Sequence, residues 1–180
     1  MLKITIPAQE YYDETKNEFI YLKERELCLE HSLVSVARWE SKWNKPFLSK
    51  DDKTNEEMSD YIRCMNLDQS IDPLYFKFLP KEDIIKINDY INAPMTATTF
   101  SDKTNKPSRE IITAEIIYYW MIALQIPFEC QKWHLNRLLT LVKVCDIKNS
   151  PNGKKMSYNE QLSRNKALNE ARRKRLHSRG

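Results

Sequence analysis

The stretch IPFECQKWHLNRLLTLVKVC, residues Ile126 to Cys145, combines two cysteines, a histidine, a tryptophan, basic residues and a run of leucines. Its apolar residues recur three and four positions apart, as on the buried side of an amphipathic helix. The residues on this stripe are Leu135, Leu138, Leu139, Val142 and Cys145. Leu141 and Val144 widen the apolar arc, so the pattern predicts a core helix with apolar surface left for a second element or a partner.

A second apolar segment, AEIIYYWMIALQ, precedes this stretch and follows Thr113, a suitable N-cap. It is apolar on most sides, which predicts a central helix. Pro127 separates the two segments and leaves only a short connection. The sequence therefore predicts two helices joined by a tight turn.

Trp120 and Trp133 lie on either side of that turn. Tryptophans in such positions are usually core residues and less often anchors for a partner. The predicted partner-binding residues are these two together with Arg137 and Leu141.

A zinc site is the main alternative for this region. Cys130 and His134 are four residues apart, Cys28 and His31 are three apart, and together they would supply a tetrahedral ligand set. The glycine-containing knuckle that usually presents such ligands is missing, which favours packed core residues. A thiolate–imidazole pair within one helix is also poorly placed for catalysis, because both side chains run parallel. The sequence predicts no catalytic residue, no metal and no cofactor.

The composition argues against several other classes of protein, namely phosphate-binding, membrane-spanning and secreted proteins. The chain has two glycines, Gly153 and Gly180, so residues 1–152 offer no glycine-rich loop to bind phosphate groups. Apolar runs are too short to predict a membrane span, and the first residues lack the apolar core of a signal peptide. The four cysteines are expected to be reduced thiols.

The charge is unevenly distributed along the chain. Residues 154–180 hold nine basic and two acidic residues, while the rest has a slight excess of acid. With the break SPNG at 150–153, this predicts a globular domain over 1–150 and a basic helix or tail over 151–180. The tail would be a solvated terminus, a protein-binding segment, or a weak, salt-sensitive and non-specific contact for nucleic acid. Its predicted contact residues are Arg164, Lys166, Arg172, Arg173, Lys174 and Arg175.

The remaining patterns predict a mainly α-helical fold with a small β hairpin or extended segments near the N-terminus and a protruding basic C-terminal helix. Leu2, Ile4 and Ile6 alternate as in a strand, and residues 18–23 are the candidate partner strand. A first helix is predicted over 25–43. A second follows the Thr54–Glu57 capping box, and a third follows Pro80. Residues 93–100 are predicted to be extended.

Several blocks resemble a family of small proteins from tailed bacteriophages with long tails. They are LEHSLVSVARWESKWNKPFLSKD, APMTATTF, YYWMIALQIPFECQKWHLNRLLTLVKVCDIKN and NKALNEARRKRLHSRG. The resemblance covers nearly the whole chain, and the third block is the most specific.

That family is similar to the tail assembly chaperones. The resemblance implies a non-enzymatic morphogenesis factor in the host cytoplasm that binds the tape-measure and tail-tube proteins during tail assembly. One alternative is a minor structural protein of the virion near the head–tail junction. Another is an accessory protein that binds nucleic acid through its basic tail.

Overall fold

The computed structural model describes residues 1–13, 17–100 and 111–149, and residues 162, 163 and 166. The chain divides into two units, Met1–Cys145 and Asp146–Gly180. The predicted boundary at residue 150 and most of the predicted basic helix lie outside the described residues.

The fold is mixed α and β, so the prediction of a mainly α-helical fold is wrong. The strands are β1 (Leu2–Ile6), β2 (Gln9–Asp13), β3 (Glu18–Leu22) and β4 (Arg25–Leu29). In two small antiparallel sheets, β1 pairs with β4 and β2 pairs with β3. The predicted pairing of the first strand with residues 18–23 is therefore also wrong.

The two sheets form one interrupted β-ribbon. Leu2 pairs with Leu29, Gln9 with Leu22, and the partners' residue numbers add to the same value throughout. A single register therefore runs through both sheets, and the break falls beside Pro7. The proline ring fixes φ at about −65°, away from the value of a regular antiparallel strand, which fits an interruption of the ribbon there.

The predicted helix over 25–43 begins late because its first part is a strand. Leu27 and Leu29 are fully buried and alternate with more exposed neighbours, a period of two that fits a half-buried strand. Helix α1 runs from Leu33 to Trp43. Its N-cap is Ser32, which forms a capping box with Ser35.

The later helices follow the sequence signals more closely. The Thr54–Glu57 capping box is confirmed at the start of α2. The segment predicted to be extended, residues 93–100, contains no strand. The remaining elements are α2 (Asn55–Met65), α3 (Leu74–Lys77), α4 (Lys81–Asn92), α5 (Ala114–Ala123), a 3₁₀ helix (Phe128–Lys132) and α6 (Leu135–Asn149).

Helix α1 lies at the centre of the core. Trp39 is 1% exposed, and its indole N–H donates to the carbonyl oxygen of Glu57 at 2.8 Å. Tyr61 is buried, and its ring stacks on Phe47. Other buried side chains come from the β-ribbon and from helices α1, α2, α4, α5 and α6: Ile4, Ile6, Leu27, Leu29, Leu33, Val36, Met65, Ile87, Ile117, Met121, Leu135 and Leu138.

Candidate protein-binding site on helix 5

Helix α5 is anchored by one narrow face. Ala114, Ile117 and Met121 are spaced by three and four residues and are at most 1% exposed. The helix is apolar beyond this face, because its sequence AEIIYYWMIA contains one charged residue, Glu115. Apolar side chains must therefore also lie on the side that faces away from the core.

A buried carboxylate fixes the start of α5. Thr113 is the N-cap, as predicted, but its side chain forms no capping hydrogen bond. Instead, Glu40 accepts the Ala114 N–H at one oxygen and the Phe47 N–H at the other, both at 2.7 Å. Burial raises the pKa of Glu40, while the two N–H donors oppose that rise. This carboxylate ties helix α1 to the start of α5.

The end of α5 is a Schellman motif. Gln125 has φ 54°, its N–H donates to Ile122, and the N–H of Ile126 donates to Met121 at 2.8 Å. Ile126 and Met121 are both buried in the hydrophobic core, as is usual for the apolar residues of this motif. The chain turns directly after α5, with a glutamine in the left-handed position where glycine is usual. The prediction that this turn alone joins the two helices is wrong, because the 3₁₀ helix Phe128–Lys132 follows it and α6 begins at Leu135.

The outward face of α5 is apolar and exposed. Tyr119 and Ile122 are 66% and 62% exposed, three residues apart on one side of the helix. Phe128, in the following 3₁₀ helix, is 51% exposed, and its ring lies 6.4 Å from that of Tyr118. Glu115 precedes Tyr119 by one turn. We call Tyr119, Ile122 and Phe128 the α5 patch.

The structure brings two of the predicted partner-binding residues together. The guanidinium of Arg137 lies 4.2 Å from the ring centre of Trp133, a cation–π contact at the start of α6. Trp120 and Leu141 are half-buried and pack against the core. Trp120 has no ring contact with Trp133, although both are among the described residues.

Sequence reasoning missed the α5 patch. A helix that is apolar on nearly all sides was expected to be central, whereas one side of α5 faces solvent. The signal was present in the weak amphipathicity of the segment, which does not say which side is buried. Of the predicted basic contacts, only Lys166 is described, as a helical and exposed residue. Arg164, Arg172, Arg173, Lys174 and Arg175 lie outside the described residues.

The cysteines and histidines weighed as a zinc site do not share a helix face. Cys130 lies in the 3₁₀ helix and His134 immediately precedes α6, so the expected continuous helix does not form. His31 and His134 do meet, with ring centres 5.0 Å apart, and both are buried. Within residues 1–13, 17–100 and 111–149, no group of three or more His, Cys, Asp or Glu residues could hold a metal ion.

Both histidines have hydrogen-bond partners suited to the neutral form. His134 donates from Nε2 to the carbonyl oxygen of Tyr90 at 2.9 Å and accepts the Asn136 N–H at Nδ1. His31 Nδ1 lies against the hydroxyl of Tyr61. Burial lowers the pKa of His31 to about 3, and the neighbouring His134 makes a smaller contribution in the same direction. Burial also lowers the pKa of His134.

A cleft of about 520 Å³ lies between α1, α2 and α3, away from every predicted site residue. Its lining includes the half-buried Asp60, whose two oxygens accept from Lys42 at 2.7 Å, Arg63 at 3.0 Å and the indole of Trp43 at 2.9 Å. Because Lys42 and Trp43 belong to α1 and Asp60 to α2, these contacts hold α1 against α2.

Comparisons with protein-family models, with curated proteins and with solved structures give no match for this chain. Among the described residues, no helix is both long and apolar enough to cross a membrane. The case for function therefore rests on the surface chemistry of the chain and on the sequence resemblance.

Proposed function

We propose that this protein is a non-enzymatic morphogenesis factor of a long-tailed bacteriophage, and that it acts like a tail assembly chaperone in the host cytoplasm. Its clients would be the tape-measure protein and the tail-tube protein. The observation that carries the proposal is the α5 patch, in which three large apolar side chains are at least half exposed.

The patch suits an amphipathic helix of a client. Tyr119 and Ile122 form an apolar ridge along one helix, and such a ridge packs against the apolar stripe of a second helix. Glu115 and Glu129 are exposed at the two ends of the patch. They would favour a client helix whose apolar stripe is flanked by lysine or arginine. Long tape-measure proteins are rich in helices, which fits this requirement.

The helix that carries the patch is held in place by the rest of the protein. Its helix is fixed at one end by Glu40 and at the other by the Schellman motif, and its inner face is buried. A pre-ordered surface loses little conformational entropy when a client binds, so a modest apolar area can contribute useful affinity.

Co-expression with the tape-measure protein tests the proposal. Ile122→Glu places a charge in the centre of the patch and should reduce co-purification of the client at least tenfold, since a desolvated carboxylate would oppose binding. Ile85→Glu is the matched control, because Ile85 is similarly exposed, at 60%, on α4. Equal loss in both variants, or none in Ile122→Glu, contradicts a client site on α5.

Mass spectrometry of purified phage particles separates the chaperone from the virion alternative. A chaperone leaves before the particle is complete, so the protein should be absent from finished virions or present only in trace amounts. A fixed number of copies per particle would instead favour the minor structural protein.

A further inference from the structure

The half of the β-ribbon formed by β2 and β3 has an exposed aromatic face. Tyr12, Phe19 and Tyr21 are 50%, 69% and 64% exposed. Tyr12 pairs with Phe19 across the ribbon, Tyr21 pairs with Glu10, and alternation puts all four on one face. The Tyr12 and Phe19 rings are 5.0 Å apart. This face is separate from the α5 patch.

The edge of β3 that faces away from β2 has no neighbouring strand in the part of the chain that the structure describes. Within the described residues, β3 is hydrogen-bonded to β2 alone, so the N–H and C=O groups on its other edge lack a strand partner. Edge strands are usually protected by lysine, proline or an inward-pointing charge. Phe19, Ile20, Tyr21 and Leu22 form an apolar run with none of these.

Strand β4, which follows β3 along the chain, has its outer edge covered by residues 65–67. The N–H of Glu30 donates to Met65, and the carbonyl of Cys28 accepts from Leu67, both at 2.9 Å. The backbone groups of residues 28 and 30 thus point to the outer edge. In an antiparallel strand, the backbone N–H and C=O groups of alternate residues point to the same edge. Because the two sheets share one register, the backbone groups of Glu18, Ile20 and Leu22 also point to the outer edge.

We propose that β3 pairs with β3 of a second copy of this chain, antiparallel about a two-fold axis at Ile20. The product is a four-stranded sheet formed by two ribbons. In this register Ile20 faces Ile20 of the second copy, Glu18 faces Leu22, and Phe19 faces Tyr21. The hydroxyl of Tyr75 donates to the carbonyl of Lys23 at 3.0 Å, directly after β3, and the proposed ladder comprises the five residues of β3.

The edge is complementary to itself in this register. The Phe19–Tyr21 pairs occupy non-hydrogen-bonded positions, where side chains approach most closely, and aromatic pairs are favourable there. No two carboxylates face each other, because each Glu18 lies opposite a leucine. The two-fold symmetry closes the assembly at two copies, so the open edge does not propagate into a fibre. Such a short interface predicts a weak, concentration-dependent dimer.

Sedimentation of the full-length chain across a wide concentration range tests the dimer. The wild-type protein should shift from monomer to dimer, and Phe19→Lys should raise the dissociation constant roughly tenfold, since it removes two aromatic pairs. Tyr12→Lys is the matched control. It is also an exposed aromatic on the same face, it loses the same Tyr12–Phe19 contact, and it lies on β2, away from the new edge. It should sediment as wild type.

Oxidative cross-linking tests the register. Ile20→Cys should form a covalent dimer, because paired Cα atoms at a hydrogen-bonded position lie about 5.5 Å apart, within disulfide range. Phe19→Cys should not cross-link alone but should cross-link when mixed with Tyr21→Cys. A wild-type protein that stays monomeric at every concentration overturns the proposal. So does equal dissociation of Tyr12→Lys, or cross-linking of Phe19→Cys alone as efficient as that of Ile20→Cys.

Discussion

At the scale of single residues, His31 and His134 make folding depend on pH. The pKa of His31 is about 3 in the folded protein and 6.5 in an unperturbed chain. The groups around the pair are the hydroxyl of Tyr61 and the ring and carbonyl oxygen of Tyr90, whose hydroxyl donates to Glu30 at 2.6 Å. Above pH 6.5 both states carry neutral imidazole. As the pH falls from 6.5 toward 3, the unfolded chain binds a proton that the folded protein does not, so stability falls.

We therefore expect the free energy of unfolding to drop by roughly 2 kcal/mol between pH 7 and pH 5 from His31 alone. The lowered pKa of His134 acts in the same direction. Urea denaturation at the two pH values measures the drop. His31→Gln should flatten the pH dependence, whereas His177→Gln, which changes the third histidine of the chain, should leave it unchanged. An unaltered slope in His31→Gln would show that His31 does not cause it.

Glu40 offers a second test at this scale. Glu40→Gln keeps the size of the side chain but replaces one accepting oxygen with an NH₂ group, so one of the two backbone N–H donors loses its partner. The expected loss of stability is about 1–3 kcal/mol, the cost of a buried unsatisfied donor. Chemical denaturation measures it, with the exposed Glu56→Gln as control. A loss equal to that of the control would contradict a role in anchoring α5.

Residue burial could be predicted only in part. His31, His134 and Cys130 are buried, as the core interpretation of these residues predicts, and Leu138 from the apolar stripe is 0% exposed. Their partners could not be predicted, because Tyr61 and Tyr90 come from helices that are remote in sequence. Hydrogen bonds between distant elements leave no periodic signal in the chain.

At the scale of elements, local signals located helix ends better than strands. The Thr54 capping box and the turn after Ala123 act within a few residues, so the sequence predicts them directly. Strand β4 was assigned to a helix because Leu29, Leu33 and Val36 also fit helical spacing. Its pairing with β1, more than twenty residues away, determined the outcome.

The Schellman turn after α5 leads to a prediction about Gln125. Its φ of 54° lies in the left-handed region, which is unfavourable for a residue with a Cβ atom. Gln125→Gly should therefore stabilise the protein by roughly 0.5–1 kcal/mol, after allowing for the greater entropy of glycine in the unfolded chain. Thermal and urea denaturation measure the gain. Leu124→Gly, one residue earlier at φ −94°, is the control and should be destabilising. Destabilisation by Gln125→Gly would contradict this account.

At the scale of the whole molecule, composition predicted the charge division but not the mixed fold. The excess of basic residues after residue 154 is visible in the sequence. The ribbon is harder to predict from the sequence, because β1 to β4 look like four separate short strands until their common register is known. The exposed side of α5 was likewise hidden, since an apolar helix does not reveal which of its faces the core covers.

A chain ending at Asn149 tests this division. The buried apolar core extends from Ile4 to Val142, within the compact unit Met1–Cys145, so the truncated protein should fold with a stability within about 0.5 kcal/mol of the full chain. It should also keep client binding, because α5 lies in that unit. Denaturation and co-purification measure the two properties. A truncated chain that does not fold would show that the later residues belong to the core.

The same truncation decides what the basic segment contributes to nucleic-acid binding. The full chain should bind duplex DNA no more tightly than about 10⁻⁶ M at physiological salt, the range of non-specific contacts. Binding should fall steeply as salt rises, because neutralised phosphates release counterions. It should vanish in the truncated chain, whose remaining residues carry a slight excess of acid. A full-length control with glutamine at residues 172–175 removes four positive charges without shortening the chain, and it should lose most of the binding. Tight binding that survives high salt would favour the nucleic-acid accessory role over the chaperone, since electrostatic contacts alone cannot produce it.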